Sequence, residues 1–129
     1  NLSTLRTVSK LPKQDMPSFI NKADLLIHAT KDNSQLQFGM NSNKILDYMS
    51  SNRPVLLAAD VKSDPVSLSG CGYVIKPEDK NLMADYFKKV CNITPSERIK
   101  LGSGGKEYIS NFSVRTLSKQ VDIIFNNLY

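Results

Sequence analysis

Cysteine and histidine are scarce in this chain, and tryptophan is absent. The 129 residues include two cysteines and one histidine. Two cysteines are too few for a disulfide scaffold, so reduced thiols are the simplest interpretation of Cys71 and Cys91. One histidine and two distant cysteines cannot complete a zinc site, and no carboxylate cluster replaces them. The sequence therefore predicts neither a disulfide framework nor a metal site.

Long apolar runs are also missing. The longest ones, such as residues 55–59, fall far short of the roughly 20 residues that a membrane-spanning helix needs. The first ten residues are mostly polar and do not resemble a secretory signal. With 40% hydrophobic residues and only six glycines and six prolines, disordered and collagen-like chains are excluded. We expect one globular domain over residues 1–129, located in the cytoplasm.

The chain is basic, with a formal net charge of +5. Six basic residues but only two acidic ones lie between residues 80 and 106. This balance indicates an anionic partner such as a nucleotide or a lipid headgroup, although a solvated lysine-rich surface has the same composition. The aromatic residues do not alternate with these basic residues as a nucleic-acid platform requires. We therefore expect no nucleic-acid partner.

Apolar runs of strand length alternate with amphipathic segments along the chain. Runs such as residues 23–29 are typical of parallel strands that are covered on both faces. The alternation predicts an α/β fold, a Rossmann-like parallel sheet with flanking helices. Strands are predicted over residues 2–9, 23–29, 55–59 and 73–75, and helices over 14–22, 42–52, 64–69, 79–90, from Thr94 onward and 114–128. Residues 102–106 lack the P-loop spacing, so a turn between two helices is predicted there.

The loop after residues 23–29 is the most informative junction, because ligands bind at the carboxyl ends of strands in open α/β sheets. The loop ends in Gly39 and small polar residues, and a helix follows. Backbone N–H groups at such a helix start can hold an anion. Lys44 lies in the first turn, where a cation opposes the helix dipole at a cost of roughly 0.3–1 kcal/mol. A bound phosphate would turn that cost into a gain.

Three residues of this region have structural alternatives to a functional role. Lys44 and Asp47 are three residues apart and could form a surface ion pair that contributes about 0.2–0.5 kcal/mol. In the functional interpretation, Asp47 accepts hydrogen bonds from a ribose diol. His28, at the end of a predicted strand, either faces the ligand cleft or is satisfied within the fold. The residues alone leave these alternatives open.

Residues 43–49 read Asn-Lys-x-x-Asp-Tyr-Met and are followed by Arg-Pro-Val at 53–55. With weaker matches over residues 16–27 and 70–79, this resembles the C-terminal, donor-binding part of retaining GT-B glycosyltransferases of the family 4 type, in their capsule and O-antigen branch. That family carries two glutamates separated by seven residues. Asp47 stands at the second position, whereas Gly39 stands at the first, as in the branch with the Asn-Lys signature.

The resemblance implies a site for a nucleoside-diphosphate sugar. Lys44 would act as the catalytic group that screens the leaving diphosphate, Asp47 would hold the ribose, and the backbone from Gly39 to Ser42 would cradle the diphosphate or sugar. No metal or other cofactor is expected. The implied donor-binding residues are Gly39, Met40, Asn41, Ser42, Asn43, Lys44, Asp47 and Tyr48.

The resemblance also implies that the chain is a truncated GT-B C-terminal domain, inactive alone and part of a longer enzyme. That enzyme would transfer a hexosyl or amino sugar from a UDP-sugar in capsular polysaccharide or lipopolysaccharide O-antigen biosynthesis. The acceptor, lipid-linked or saccharide, would be held by an N-terminal domain, with peripheral contact to the inner membrane face. The alternative is a non-catalytic, flavodoxin-like α/β module for binding or regulation.

Truncation would leave the strand at residues 23–29 with a bare hydrophobic edge, which favours association. We expect that edge to pair with a second copy in a homo-oligomer, or to be covered by the strand predicted at residues 2–9.

Overall fold

The computed structural model describes residues 4–31, 36, 39–40 and 42–128. Within these residues three parallel strands form one sheet in the order β1-β2-β3. This confirms the α/β, Rossmann-like parallel sheet with flanking helices. The strands are β1 (Leu26–Ala29), β2 (Val55–Ala58) and β3 (Gly72–Ile75). The helices are α1 (Met16–Ile20, after a 3-10 turn at Lys13–Asp15), α2 (Asn43–Met49), α3 (Pro65–Ser69), α4 (Lys80–Asn92), α5 (Pro95–Ser110) and α6 (Val114–Asn126).

The central strand β2 is buried along its whole length because both faces of the sheet are covered. On one face, Leu57 packs with Ile45 and Met49 of α2. On the other face, Leu56 packs with Ile75 and with side chains of α4. Burying each such aliphatic side chain stabilises the fold by about 1.5–3 kcal/mol. The continuous apolar run that predicted this strand therefore reflects burial on two sides.

The prediction of a strand over residues 2–9 is wrong for the part that is described. Residues 4–10 contain no strand, and residues 1–3 lie outside the described residues. Leu5 and Val8 are 69% and 57% exposed. Residues three apart point to opposite faces of a strand, so these two side chains could not share one buried face. Residues 4–10 therefore add no strand to the edge of β1, and pairing of that edge with a second copy stays a prediction.

The prediction of a turn at residues 102–106 is also wrong, because these residues lie inside α5. Gly102 and Gly105 are buried where α5 crosses the end of α2. A Cβ atom on Gly102 would lie 2.4 Å from the carbonyl of Asn52, and one on Gly105 would lie 3.0 Å from the Met49 Cβ. The glycines therefore permit close helix packing rather than a change of chain direction.

The helix starts follow local rules. Helix α5 begins with a capping box: Thr94 Oγ1 accepts from the Glu97 N–H at 3.3 Å, and the Glu97 carboxylate accepts from the Thr94 N–H at 2.7 Å. Asp79 caps α4 by accepting from the Leu82 N–H at 2.9 Å. Caps of this kind typically contribute about 1 kcal/mol each.

The last helix is present where the apolar periodicity predicted it, but its apolar stripe is exposed. Val114 is 82% exposed and Ile124 is 60% exposed. The periodicity identified the apolar face without identifying what that face contacts. Within the described residues, no helix is both long enough and apolar enough to cross a membrane.

Candidate functional site

Helix α2 presents the two charged residues of the predicted site. Ile45 and Met49 are almost fully buried against the sheet, which fixes the orientation of the helix. Lys44 and Asp47 are consequently exposed. Because they are three residues apart on a helix, they lie on the same side of it. The side chains expected to bind the phosphate and the ribose therefore lie on the same exposed side of α2.

The alternative for these residues, a surface ion pair, is not observed. Among the described residues, the side chains within 4.0 Å of an opposite charge form the pairs Lys88–Asp85 and Arg98–Asp24. Lys44 and Asp47 are not bonded to each other, so the Asp47 carboxylate is not neutralised by its neighbour on the helix.

Asp47 borders a cavity of about 580 Å³. Asp47 and Ser50 form the α2 side of the cavity, and the opposite walls are residues 8–11, Lys13 and the side chains of α1. The volume lies within the range of about 300–1,000 Å³ that is usual for small-molecule sites. This cavity was not predicted, because residues 8–9 were expected to belong to a strand. The sequence feature that could have indicated the cavity was the pair of lysines, Lys10 and Lys13, on either side of the apolar Leu11.

The loop before α2 contains one glycine with a special conformation. Gly39 has φ +121°, a region that favours glycine, although a Cβ atom there would meet nothing within 4 Å. Conformation rather than space explains why this position carries glycine instead of an acidic residue. The Gly39 N–H donates to the Leu36 carbonyl at 3.1 Å, so this particular N–H is already engaged.

The other predicted donor-binding residues differ in their surroundings. Met40 and Tyr48 are half-buried and pack against the core on the α2 side of the sheet. Ser42 is the N-cap residue of α2 but makes no side-chain hydrogen bond to the helix, and Asn43 is exposed in the first turn. Asn41 lies outside the described residues.

Gly39 and Met40 border a second concavity, of about 470 Å³, rather than the one beside Asp47. Its remaining walls are mainly apolar side chains, including Leu46, Leu68 and Phe112. The predicted residues are thus arranged around the start of α2 and do not all line one pocket.

His28 lies at the carboxyl end of β1, next to this helix. It is half-buried and pairs in register with Leu57. Burial and the positive charge of Lys44 both lower the pKa of His28. The sequence gives no link between His28 and Lys44, whereas the packing of α2 against β1 brings Lys44 close enough to affect the imidazole. Within the described residues, no group of three or more His, Cys, Asp or Glu side chains is arranged to hold a metal ion.

Comparison with solved structures shows a likeness of fold. No family model matches the chain, and no curated protein matches it. The fold resembles part of the crystal structure of Anabaena HepE in complex with UDP-glucose, with a TM-score of 0.63 and 16% sequence identity. The match covers 88% of this chain and 30% of the HepE chain. At this identity the likeness shows a shared fold, and the chain spans less than a third of that protein's length.

Proposed function

We propose that this chain binds the nucleotide-sugar donor of a GT-B glycosyltransferase, with a UDP-sugar as the donor. One observation carries the proposal: the Asp47 carboxylate lies on the wall of a ligand-sized cavity, on the same side of α2 as Lys44. Helix α2 follows β1 in the chain, so its start lies on the side of the carboxyl edge of the parallel sheet, where α/β folds bind nucleotides. A shared fold with a protein crystallised with UDP-glucose supports the same class of ligand.

The cavity suits the nucleoside half of the donor. An ionised carboxylate is an acceptor with two oxygens, and a ribose diol offers two hydroxyl donors that match it. Apolar side chains of residues 8–20 provide contact area for the base, while Lys10 and Lys13 contribute positive charge around the cavity. Asp47 would thus fix the ribose and leave the diphosphate directed toward the start of α2.

Lys44 would hold the diphosphate there. In sugar transfer the nucleoside diphosphate leaves with additional negative charge, and a fixed cation stabilises that charge in the transition state. In the first turn of α2 the Ile45 N–H already donates to the Ser42 carbonyl at 3.0 Å, so only the N–H groups of Asn43 and Lys44 would add hydrogen bonds. We assign no carboxylate nucleophile and no metal ion to the reaction.

The whole enzyme would use this donor in a retaining transfer of a hexosyl or amino sugar. Its acceptor, lipid-linked or saccharide, would be bound by a part of the protein outside these 129 residues. Polysaccharide and glycoconjugate assembly at the cytoplasmic face of the membrane is the proposed setting. The chain alone should therefore bind the donor without transferring the sugar.

Calorimetry with UDP and with uridine tests the proposal. Asp47→Asn should weaken the binding of both, because hydrogen bonds to a charged group contribute about 1.5–3 kcal/mol, or roughly 10- to 150-fold in affinity. Lys44→Met should weaken UDP binding and leave uridine binding unchanged. The matched controls are Asp85→Asn and Lys88→Met, an exposed pair with the same spacing on α4.

Two results would contradict the proposal. One is the absence of UDP binding, which would favour the flavodoxin-like alternative. The other is UDP binding that Asp47→Asn and Asp85→Asn affect equally.

A further inference from the structure

His28 faces the proposed phosphate end of the site. Residues that pair in register across a parallel ladder project to the same face of the sheet. His28 pairs with Leu57, and Leu57 packs with Ile45 and Met49 of α2. The imidazole is therefore on the face of the sheet that α2 covers. β1 ends one residue later, so His28 is also at the carboxyl edge.

Lys44 is the charged group of α2 that acts on this imidazole. Burial and, to a smaller extent, the Lys44 ammonium lower the pKa of His28 and so favour the neutral imidazole. The described part of β2 opposite His28 is apolar, with Leu57 as its partner. On α2, Asp47 lies one turn beyond Lys44 and borders the cavity, and Lys31 follows β1 in the chain. The imidazole thus lies near the carboxyl edge of the sheet, on the face that α2 covers, and Lys44 lies in the first turn of that helix.

The Lys44 ammonium disfavours the protonated imidazole as long as no anion lies between the two groups. A phosphate group would reverse the local field, because an anion within about 4–6 Å favours the charged form of an imidazole. The neutral ring can donate one hydrogen bond, and the protonated ring can donate two. Packing alone would be served equally well by an aliphatic side chain at this half-buried position.

We propose that His28 is a second phosphate-binding group of the site, which donates a hydrogen bond to the diphosphate held by Lys44 and takes up a proton from solvent as it does so. The inference rests on the proposed function, since it assigns a further residue to the same donor. Proton uptake and anion binding are linked reciprocally. Diphosphate affinity should therefore rise as the pH falls through the His28 titration, by up to roughly tenfold for each unit by which the bound anion raises the pKa.

The test uses the single histidine of the chain as its own reporter. The His28 ring signal is followed by NMR from pH 5 to 9, in the free chain, with inorganic pyrophosphate and with uridine. Pyrophosphate should raise the pKa of His28, and uridine should leave it unchanged. Lys44→Met should raise the pKa in the free chain and remove most of the effect of pyrophosphate. Lys88→Met, on the α4 side of the sheet, should change neither.

A binding measurement separates a phosphate contact from a packing role. His28→Gln should weaken pyrophosphate binding several-fold at pH 6 but little at pH 8.5, and should leave uridine binding intact. Three results would overturn the inference: a His28 pKa that pyrophosphate does not move, a full response that persists in Lys44→Met, or an equal loss of pyrophosphate and uridine binding at every pH.

Failure of this inference and failure of the proposed function give different results. In one case uridine binding depends on Asp47 but pyrophosphate does not change the pKa of His28. This result refutes the role of His28 and is consistent with the nucleotide-sugar function. In the other case pyrophosphate raises the pKa of His28 in a way that requires Lys44, but uridine binding does not depend on Asp47. This result supports the phosphate contact and refutes the nucleoside half of the proposed function.

Discussion

Replacing Gly102 with alanine distinguishes the effect of helix propensity on stability from the effect of tertiary packing. Alanine is more favourable than glycine in a helix interior by about 1 kcal/mol, so α5 considered alone should become more stable. In the fold, the new Cβ would lie 2.4 Å from the carbonyl carbon and oxygen of Asn52 and 2.6 Å from the carbonyl carbon of Arg53. These are backbone atoms, so they cannot rotate away as a flexible side chain would. The two effects have opposite signs.

The packing effect should be the larger one. Overpacking a well-filled core costs about 1–3 kcal/mol, and the rigid backbone neighbours place this site at the upper end of that range. After the gain in helix preference is subtracted, we expect Gly102→Ala to lower the free energy of unfolding by about 2 kcal/mol. For a chain of this length, that corresponds to a decrease in Tm of roughly 6–10 °C.

Thermal and urea unfolding, followed by circular dichroism, measures the effect. The matched control is Ser103→Ala, at the next residue of the same helix, where the side chain is exposed and its hydroxyl donates to the Lys100 carbonyl at 2.8 Å. The control should change the stability by no more than about 0.5 kcal/mol. A Gly102→Ala chain that unfolds at the same temperature as the parent, or higher, would refute the close packing of α5 on the end of α2.

Two further predictions concern the stability of the folded chain. Thr94→Ala removes the capping box of α5 and should lower the free energy of unfolding, measured in urea, by about 0.5–2 kcal/mol. Thr94→Ser should retain most of the stability, because serine can cap in the same way. Equal stability of the parent and Thr94→Ala would contradict a stabilising role of the cap. The pKa of His28 is lower in the folded chain than in the unfolded chain, so the unfolded chain binds the proton more readily. The free energy of unfolding should therefore fall as the pH decreases from about 6.5 to the lower pKa of the folded chain. His28→Gln should flatten that dependence in urea titrations between pH 5 and 8, and an unchanged slope would contradict it.

Much of the secondary structure was determined by the sequence itself. The apolar run at residues 55–59 predicted a strand, which is buried on both faces, and the predicted helix start at Thr94 is the N-cap of α5. Both signals act between residues that are close in the chain, so they need no knowledge of distant partners. The Asn-Lys-x-x-Asp spacing likewise places Lys44 and Asp47 on one side of a helix.

Contacts between distant segments were decided only by the tertiary structure. The glycines at 102 and 105 indicated a turn locally, yet they mark the crossing of α5 over α2, because the carbonyl of Asn52 occupies the space that a side chain would need. The cavity beside Asp47 exists because residues 8–11, which carry no strand, lie against it. The proximity of His28 and Lys44 depends on how α2 packs on β1. Periodicity and spacing report which face of an element is apolar, whereas only the packed chain determines which distant residues meet there.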